Sequence, residues 1–371
     1  MSFRIVHIDT EHGWRGGENQ ALLLAMGLRG RGHENLFAAQ PGSELARRAR
    51  DMGFAVAEIA MRGEWDVRAR WRLRRAARDF HADLVHAHTA HAHGLGLAVV
   101  GRAESPPLLV VSRRVDFAVG RSWLSRRKYL SPLCRYIAIS NGVRDVLVAG
   151  GVRPENVCVV HSGVDPARFQ YGRDGAAFRA EMGCAPGDAL VGNVGALTDH
   201  KGHCYLIEAA GRVLEKAPHA RFCIVGKGEL RPDLERRIRE RGLGERFRLA
   251  GYRDDVEACF AAFDLFALSS HLEGLCTSVI DAMLLGVPVV ATRTGGVPDL
   301  VRNEETGVLV EPRNPEALAN GIIRLLGDEA LRARLSACAR DFARNHFTAD
   351  AMVAGVEQSY RVFMGRVGEK T

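Results

Sequence analysis

One segment of the sequence joins an apolar, strand-like run to a helix through a turn that carries an acid and a glycine. Residues 265–270 form the run, Glu273 and Gly274 follow it, and a helix is predicted to open at about Thr277. Backbone N–H groups at a helix start lack intrahelical partners and favour anions. We therefore expect a diphosphate to bind at this turn. The amides concerned are those of Leu275, Cys276, Thr277 and Ser278.

Two acids in this segment are spaced to face one ligand. Asp281 follows Glu273 by eight residues, which is about two helical turns. One acid could hold the sugar end of a ligand and the other its ribose. Taken singly, each has a simpler explanation, because the helix dipole favours an acid at a helix start and Asp281 could be a solvated helix position.

A second segment, residues 191–202, combines a glycine turn with a lysine. The strand-like run leads into Gly195, and Lys201 stands near the start of the next helical stretch. An ammonium group there would neutralise a leaving diphosphate, a recurrent need in phosphate chemistry. The simpler explanation of Lys201 is a solvated surface lysine.

The loop of residues 13–19 follows the first strand-like run and precedes a helical stretch. Gly16 and Gly17 in this loop would let the backbone approach a phosphate or a transferred sugar closely. A pair of glycines alone is weak support for such a site, so its interpretation depends on the rest of the chain.

Four histidines, His86, His88, His91 and His93, cluster beyond the fourth strand-like run. Such a cluster is compatible with a metal site, but no acid or cysteine stands beside it. Histidines are also common where anions and sugars bind. We therefore expect this cluster, with His88 and His91 as the candidates, to bind an anion or a sugar rather than a metal.

These segments need a scaffold that brings strand ends together. Short β-branched runs alternate with helix-length stretches along the whole chain of 371 residues, a pattern typical of βαβ units and parallel sheets. The predicted strands are residues 3–9, 35–40, 55–60, 83–88, 108–112, 136–140 and 157–164, then 189–197, 221–226, 246–251, 265–270, 288–292 and 307–310. They predict two doubly wound α/β domains, in which ligands bind beyond the carboxyl ends of the strands.

The domain boundary is predicted in the polar stretch of residues 165–179. The first domain then covers residues 1–166 and the second residues 167–349. Met352, Val356, Tyr360 and Phe363 stand at helical spacing, which predicts a terminal helix over about residues 350–371.

Composition and charge narrow the function class. Hydrophobic residues make up 47% of the chain and charged residues 26%, which is typical of a globular protein and excludes a disordered one. No run of 18 apolar residues predicts a membrane span, and the start lacks the apolar core of a signal peptide, so we expect a cytoplasmic protein. The net charge of +7 favours anionic partners, but no nucleic-acid-binding motif accompanies it.

The wider segment around Glu273 resembles the donor signature of the retaining family-4 (group 1) glycosyltransferases of the GT-B fold. The matching residues are Glu273-Gly274, Ala282-Met283, Gly286-Val287-Pro288-Val289-Val290-Ala291-Thr292 and Gly295-Gly296-Val297-Pro298-Asp299. Lys201-Gly202 and the loop Gly16-Gly17-Glu18 match further motifs of the family, so the resemblance spans nearly the whole chain. It implies two Rossmann-like domains that face each other across a cleft, with the C-terminal helix packed back on the first.

The resemblance also implies a reaction. A sugar would pass from a nucleoside-diphosphate sugar, with a UDP-sugar as the expected donor, to a hydroxyl of a glycan or glycolipid, with retention at the anomeric carbon and without a metal. Lys201 and Glu273 would be catalytic. The implied donor site comprises Gly16, Gly17, Gly195, Lys201, Glu273, Gly274, Leu275, Cys276, Thr277 and Asp281. Lipopolysaccharide or cell-surface polysaccharide synthesis is the expected setting.

Three positions depart from the family pattern. Asp281 replaces the usual glutamate at the ribose and has a shorter reach, and Ala196 replaces an arginine that the family has beside its lysine. Arg15 is a candidate to replace the missing cation. Arg114, with its neighbour Arg113, stands where many members carry a histidine after the fifth strand. These two arginines predict an anionic acceptor or a contact with the leaving phosphate.

The resemblance implies that the first domain binds the acceptor, with His88, His91, Arg113 and Arg114 as its candidate contacts. Two arginine-rich stretches with interleaved tryptophans lie in this domain. Residues 62–78 carry seven arginines with Trp65 and Trp71, and residues 113–128 carry six arginines and lysines, Arg121 among them, with Trp123. Such stretches suit an anionic membrane surface, which predicts a peripheral location on the inner face of the membrane. An ordinary solvated helix face explains them equally well.

Two other functions remain open on the sequence. A nucleotide-sugar epimerase shares the two-domain architecture, but it would lack the segment between Glu273 and Asp281 as matched here. A non-catalytic carbohydrate-binding scaffold is compatible with the departures at Ala196, Arg114 and Asp281. Detectable donor turnover would eliminate the scaffold.

Overall fold

The computed structural model of the chain describes residues 2–101, 106–120, 122–169 and 174–368. The chain folds into two compact units. Unit 1 consists of residues 1–163 together with residues 349–371, and unit 2 consists of residues 164–348. The predicted residue Arg121 lies outside the described residues, as do residues 170–173 of the predicted boundary stretch and residues 369–371 of the predicted terminal helix.

Unit 1 is built on one parallel sheet of seven strands. The strands are β1 (Arg4–Ile8), β2 (Glu34–Ala39), β3 (Ala55–Glu58), β4 (Leu84–Ala87), β5 (Leu108–Arg113), β6 (Cys134–Ala138) and β7 (Val157–Val159). Their order across the sheet is β3-β2-β1-β4-β5-β6-β7. The chain therefore reverses its direction of travel between β1 and β4, and ligands of such sheets bind beyond the strand ends at this point.

Helices connect the strands of unit 1, since parallel strands need crossover connections. They are α1 (Gly16–Gly30), α2 (Glu44–Asp51), α3 (Val67–Asp79), α4 (Ala90–Val100), α5 (Trp123–Tyr129), α6 (Asn141–Ala149) and a 3-10 turn at Pro154–Asn156. Short polar side chains cap several helix starts. Asp66 accepts from two amides at the start of α3, and Ser122 accepts from the Ser125 amide at the start of α5.

Unit 2 repeats this plan on a parallel sheet of six strands. They are β8 (Ala189–Val194), β9 (Ala220–Val225), β10 (Phe247–Gly251), β11 (Leu265–Leu268), β12 (Val289–Thr292) and β13 (Val308–Val310), in the order β10-β9-β8-β11-β12-β13. The helices are α7 (Ala176–Glu181), α8 (His203–Lys216), α9 (Arg231–Glu240), α10 (Val256–Ala262), α11 (Thr277–Leu285), α12 (Val297–Leu300), α13 (Pro315–Gly327) and α14 (Glu329–His346), with 3-10 turns at Pro166–Phe169 and Asp199–Lys201. Here the strand order reverses between β8 and β11.

The prediction of a doubly wound α/β fold is confirmed, and each predicted strand has a counterpart in the two sheets. Several strands end earlier than predicted. Residues 195–197 and 269–270 lie beyond β8 and β11, and the Leu197 amide donates to the Lys227 carbonyl beyond the end of β9. The chemically interesting residues therefore stand in loops at the carboxyl edge of each sheet.

The last helix, α15 (Ala349–Gly368), returns to unit 1 and confirms the predicted terminal helix. Its apolar face carries Met352, Val353, Val356, Tyr360 and Phe363, which are all buried in one core cluster with side chains of α1 and of the sheet. About 25 cal/mol is gained per Å² of apolar surface removed from water. This helix is therefore a structural part of unit 1.

In the described residues, no helix combines the length and the apolar character that crossing a membrane requires.

The contact between α1 and α15 depends on a glycine, and this yields a first prediction. A Cβ atom at Gly27 would lie 2.4 Å from Val353 Cγ2 and 3.1 Å from Val353 Cβ. Because rotation of Val353 alone does not clear this overlap, we expect Gly27→Ala to lower the free energy of unfolding by about 1–3 kcal/mol, a typical cost of overpacking. Urea denaturation of the full chain measures this loss.

Gly30→Ala is the matched control, since it lies on the same helix and a Cβ there meets nothing within 4 Å. We expect it to be neutral or slightly stabilising, because alanine favours the helix over glycine. Equal losses of stability in the two variants would contradict the role assigned to this contact.

Candidate functional site

Lys201 and Glu273 meet at the carboxyl edge of the unit 2 sheet. Lys201 ends the 3-10 turn after β8, and Glu273 lies in the loop after β11, which is the neighbouring strand. Lys201 Nζ lies 2.6 Å from Glu273 Oε1, and both side chains are largely buried. The two residues stand 72 positions apart in the sequence, so only the strand order brings them together.

Backbone contacts hold the two loops against each other. Ser269 Oγ donates to the Lys201 carbonyl at 3.1 Å, and the His271 amide donates to the His200 carbonyl at 3.0 Å. Gly202 adopts a left-handed conformation with φ +61°, and a Cβ atom there would lie 2.2 Å from the Ser269 carbonyl oxygen. The glycine after Lys201 is therefore required by both its conformation and its close neighbour.

Two further hydrogen bonds hold Glu273, one at its carboxylate and one at its backbone carbonyl. Ser270 Oγ donates to Glu273 Oε1 at 2.7 Å, and the Gly296 amide donates to the Glu273 carbonyl at 3.1 Å. Burial acts to lower the pKa of Lys201, but the nearby Glu273 carboxylate outweighs burial and raises this pKa above its usual value. Lys201 is therefore a cation at neutral pH, in a setting where little water screens its charge.

The start of α11 lies beside this ion pair. Leu275 and Cys276 are buried, and Cys276 occupies the cap position without a side-chain hydrogen bond to the first turn. Burial raises the pKa of the Cys276 thiol to about 12, so this group is a neutral thiol. The first turn of α11, which begins at Thr277, can thus offer its amides to an anion.

Asp281 is buried in the second turn of α11. Its Oδ1 atom is buried and has no hydrogen-bond partner in the described structure. Burial raises the pKa of Asp281 to about 7, while Arg168 lowers it and Glu257 raises it further. Arg168 pairs with Glu257 at 3.0 Å. An unpartnered carboxylate oxygen of this kind is suited to accept hydrogen bonds from ligand hydroxyls.

Ala196 stands where the family carries an arginine, and its backbone contacts a neutral imidazole rather than adding a charge. The Ala196 carbonyl accepts a hydrogen bond from His203 Nε2 at 3.1 Å. Burial lowers the pKa of His203 to about 4, so this imidazole adds no positive charge at neutral pH. Gly195 lies directly beside the aliphatic chain of Lys201.

In unit 1 the carboxyl edge between β1 and β4 gathers another set of ionisable groups. Asp9 follows β1, His88 follows β4, and Arg114 follows β5. The Arg114 side chain lies against Gly17 and near the carboxylates of Asp9 and Glu18. Burial raises the pKa of Asp9 to about 7 and lowers that of Arg114 to about 10. Arg114 is thus a cation close to two acids.

A chain of hydrogen bonds sets the tautomer of His88. Asn35 Nδ2 donates to the His33 carbonyl, so Asn35 Oδ1 accepts from His7 Nε2 at 2.9 Å. His7 Nδ1 then accepts from His88 Nε2 at 3.0 Å. Among the residues that the structure describes, none is a hydrogen-bond partner for His88 Nδ1, which is left as a buried lone pair. It can accept a hydrogen bond from a ligand hydroxyl.

His7, His86 and His88 also form a cluster whose ring nitrogens lie within 4.8 Å of one another. His86 bonds to the Tyr360 hydroxyl at 2.6 Å and to Ser112 Oγ at 2.8 Å. Burial lowers the pKa of all three, that of His7 to about 4. Since hydrogen bonds already engage most of these nitrogens, we interpret the cluster as a polar part of the core. That no metal binds here stays a prediction.

The other predicted residues of unit 1 lie apart from this set. His91 is exposed on the first turn of α4. Arg113 is buried and donates to the Tyr129 hydroxyl and the Phe117 carbonyl. Arg15 is exposed at the start of α1, where its amide donates to Glu18 Oε2. Of the four predicted acceptor residues, the structure thus brings together His88 and Arg114.

Several residues of both sites escaped the sequence argument. In unit 2 these are Ser270 and the pair of Arg168 and Glu257. In unit 1 they are His7, Asp9 and Asn35. Polar residues that alternate at the end of a buried first strand, as His7 and Asp9 do, are the available signal. No spacing links Asn35 or Arg168 to their partners.

The buried Asp281 yields a second prediction, on pH dependence. Its folded-state pKa lies near 7, above the value near 4 of an unfolded chain, so its stabilising contribution is lost as the pH rises from about 4 through 7. Asp281→Asn removes this loss. Without ligand, we expect the variant to gain on the order of 1–3 kcal/mol over wild type between pH 5 and pH 8.

Denaturant unfolding at the two pH values measures this difference. Asp341→Asn on α14 is the control, because it makes the same chemical change at an exposed position. Identical pH profiles for wild type and Asp281→Asn would show that the carboxyl is not held in a desolvated site.

Two family models match the chain, one after the other. Residues 176–342 match the model of glycosyl transferases group 1, and residues 14–168 match that of glycosyltransferase family 4. The matched ranges contain the Lys201–Glu273 pair of unit 2 and the Asp281 carboxylate. In unit 1 they contain Gly16 and Gly17, which were predicted in a loop but open α1, because the helix begins directly after Arg15.

Curated proteins of similar sequence are also named as glycosyltransferases. An uncharacterised glycosyltransferase of Methanocaldococcus jannaschii is 26% identical over 65% of this chain and 64% of its own length. The lipopolysaccharide core biosynthesis glycosyltransferase LpsE of Rhizobium meliloti is 32% identical over 49% of this chain and 52% of its own length. The UDP-Gal:alpha-D-GlcNAc-diphosphoundecaprenol alpha-1,3-galactosyltransferase of Escherichia coli is 26% identical over 69% of both. The chain thus spans from about half to about two thirds of these relatives.

Solved structures share the fold over almost the full length. Anabaena HepE, crystallised in complex with UDP, superposes with a TM-score of 0.86 at 23% identity and covers 96% of this chain and 99% of its own. A glycosyltransferase of Rickettsia africae superposes with a TM-score of 0.86 at 18% identity over 98% and 99%. The predicted GT-B fold is therefore confirmed, and with both family models matched in chain order the protein belongs to the group 1, family-4 glycosyltransferases.

Proposed function

We propose that this protein transfers a sugar from a nucleoside-diphosphate sugar to a hydroxyl of a glycan or glycolipid acceptor, with retention at the anomeric carbon. A UDP-sugar is the proposed donor. The observation that carries the proposal is the grouping of Lys201, Glu273, the start of α11 and Asp281 at the reversal point of the unit 2 sheet.

Each member of this group has a proposed task. The Lys201 ammonium and the amides at the start of α11 bind the diphosphate and stabilise the negative charge that develops on it. Glu273 accepts hydrogen bonds from hydroxyls of the transferred sugar. Asp281, with its unpartnered Oδ1 atom, accepts those of the ribose. Its side chain is shorter than that of the usual glutamate, so the ribose must approach α11 more closely.

The proposed chemistry balances without a metal or a dedicated protein base. The bond between the anomeric carbon and the diphosphate oxygen breaks, and the acceptor oxygen bonds to the anomeric carbon on the same face. The acceptor proton passes to the departing phosphate oxygen. Lys201 must then remain a cation throughout the reaction, and its raised pKa supports this assignment.

Relatives support the donor class and the setting. HepE binds UDP, the Escherichia coli relative is named for transfer from UDP-galactose to a diphosphoundecaprenol-linked sugar, and LpsE is named for lipopolysaccharide core synthesis. We propose that this chain acts likewise on a cell-envelope acceptor, in the cytoplasm and peripherally at the membrane. His88 Nδ1 and Arg114 of unit 1 are the proposed acceptor contacts.

A third prediction tests the donor site by thermal stabilisation with UDP, GDP, ADP and dTDP. A ligand that binds only the folded state stabilises it by about 2.7 kcal/mol at 100 times its dissociation constant. We expect UDP to raise Tm in the wild type, and Lys201→Ala and Asp281→Asn to abolish most of this shift. Lys216→Ala is the control, because Lys216 is an exposed lysine at the end of α8 of the same unit.

Glu273→Gln separates sugar binding from nucleotide binding. It keeps the shape of the side chain but leaves Lys201 without its counter-charge, which the diphosphate of UDP would then supply. We therefore expect UDP still to raise Tm, and the extra stabilisation by UDP-sugars to be lost. If none of the four nucleotides shifts Tm in wild type, the donor site does not form and the scaffold function is favoured instead.

A fourth prediction concerns turnover. With a matched donor and acceptor, Lys201→Ala should lower kcat by about 10²–10³, the usual effect of removing one group that stabilises developing charge. Release of UDP measures the rate, and the coupling constants of the product's anomeric proton decide between retention and inversion. Conversion of a UDP-sugar to its epimer without acceptor would favour an epimerase, and full loss of activity in EDTA would contradict the proposed metal independence.

A further inference from the structure

The positive charge of the chain is concentrated in one part of unit 1. Residues 62–79 and 122–133 together hold ten arginines and lysines but three acids, a surplus of seven. This surplus equals the formal net charge of the whole chain, +7. The remainder of the chain is therefore neutral, and the basic character predicted from composition belongs to α3, α5 and their flanking loops.

The same region exposes most of the large apolar side chains. Of twelve such side chains that are exposed in the described residues, seven lie in these two stretches, and two more, Val115 and Phe117, lie in the loop between β5 and α5. The seven are Trp65, Val67, Trp71, Trp123, Leu124, Leu130 and Leu133. Soluble proteins seldom concentrate apolar side chains in this way unless the surface has a partner.

Three of the four tryptophans of the chain belong to this surface. Trp65, Trp71 and Trp123 are 66%, 58% and 68% exposed. Each lies beneath a guanidinium group, with Arg70, Arg75 and Arg127 at 4.9, 5.8 and 5.4 Å from the respective ring centroids. A tryptophan beside an arginine suits the boundary of a bilayer, where the ring enters the headgroup layer and the cation meets lipid phosphate.

The helix α3 divides its side chains among three directions. Ala69, Leu73 and Ala77 are buried at intervals of four residues and form the face toward the core. Arg68, Trp71, Arg72, Arg75 and Arg78 are exposed on the outer face. Arg70 and Arg74 lie between these faces and line a pocket. The outer face is thus basic and aromatic, with no acid before Asp79 at its end.

The pocket beside α3 has a volume of about 790 Å³ and lies within unit 1. Residues of α3, α4 and α5 line it, with Trp65 and Leu124 among them. Its cations are Arg70, Arg74, Arg127 and Lys128, and its one acid is Glu64, which pairs with Lys128. A pocket with surplus positive charge and apolar side chains among its walls matches an anionic lipid headgroup with its first acyl carbons.

We propose that α3, α5 and the loops of residues 62–66 and 115–120 form a face that docks on an anionic lipid bilayer, with one anionic headgroup held in the pocket between α3, α4 and α5. This face is hereafter called the Trp–Arg face. This proposal rests on the proposed function, because the face would bring the enzyme to a lipid-linked acceptor. The docking itself needs neither donor nor acceptor.

Vesicle co-sedimentation of the full chain tests the docking. We expect binding to vesicles of phosphatidylcholine with 30% phosphatidylglycerol as the probe composition, weaker binding at high salt, and little binding to pure phosphatidylcholine. Arg68→Glu, Arg72→Glu and Arg126→Glu together should weaken binding at least tenfold. Lys216→Glu, Arg239→Glu and Arg344→Glu together are the control, because they change the net charge equally on exposed positions of unit 2.

Tryptophan fluorescence identifies the face directly. Trp14 is the fourth tryptophan, and it packs against a core cluster of unit 1 under Arg48. Anionic vesicles should shift the wild-type emission to shorter wavelength. The variant Trp65→Phe, Trp71→Phe, Trp123→Phe, which keeps Trp14, should show no such shift. Far-UV circular dichroism confirms that each variant is folded, as expected for substitutions at exposed positions.

Defined outcomes overturn the proposal. The first is equal vesicle binding by the unit 1 and unit 2 charge-reversal variants, and the second is equal binding of wild type to neutral and anionic vesicles. The third is an emission shift that persists in the triple Trp→Phe variant. Binding of a soluble polyanion such as heparin without vesicle binding would assign the face to a soluble partner, and concentration-dependent self-association without vesicle binding would assign it to a second copy. Since UDP stabilisation is measured without lipid, the donor site and the docking face can fail separately.

Discussion

The ion pair between Lys201 and Glu273 is the interaction on which the geometry of the unit 2 site depends. Two opposite charges that are largely removed from water must stay paired, because an isolated buried charge is strongly unfavourable. The pair therefore fixes the loop after β8 against the loop after β11, and Ser270, Gly202 and the Gly296 amide complete that contact. A ligand with a diphosphate and sugar hydroxyls can replace both partners of the pair, since the diphosphate can bind Lys201 and the hydroxyls can donate to Glu273.

The strand order explains why both units collect polar groups at one place. In each sheet the chain runs outward in both directions from two adjacent central strands, β1 and β4 or β8 and β11. The connections leave those strands on opposite sides, which opens a crevice at their carboxyl ends. In unit 2 the Lys201–Glu273 ion pair and the start of α11 lie at this crevice. In unit 1 neutral imidazoles, a buried acid and Arg114 lie at the corresponding place.

The cations at the two sites stand beside acids, whereas the surplus cations of the chain lie on the surface. The examples at the two sites are Lys201 beside Glu273 and Arg114 near Asp9 and Glu18. Outside, the surplus cations gather on the Trp–Arg face. A buried cation without a counter-charge would destabilise the fold, whereas an exposed surplus is solvated and remains available to an anionic partner.

The sequence by itself determined the doubly wound fold, the glycosyltransferase family, and the segments of Lys201 and Glu273, because strand periodicity, glycine turns and helix starts are local properties. It did not decide which arginine of Arg113 and Arg114 faces the acidic cluster, since successive residues at a strand end point to opposite sides of the sheet. Nor could it join Asn35 to His7, Arg168 to the surroundings of Asp281, or Tyr360 to His86. Those contacts link residues far apart in the chain, and only the strand order and the return of α15 bring them within hydrogen-bonding or electrostatic range.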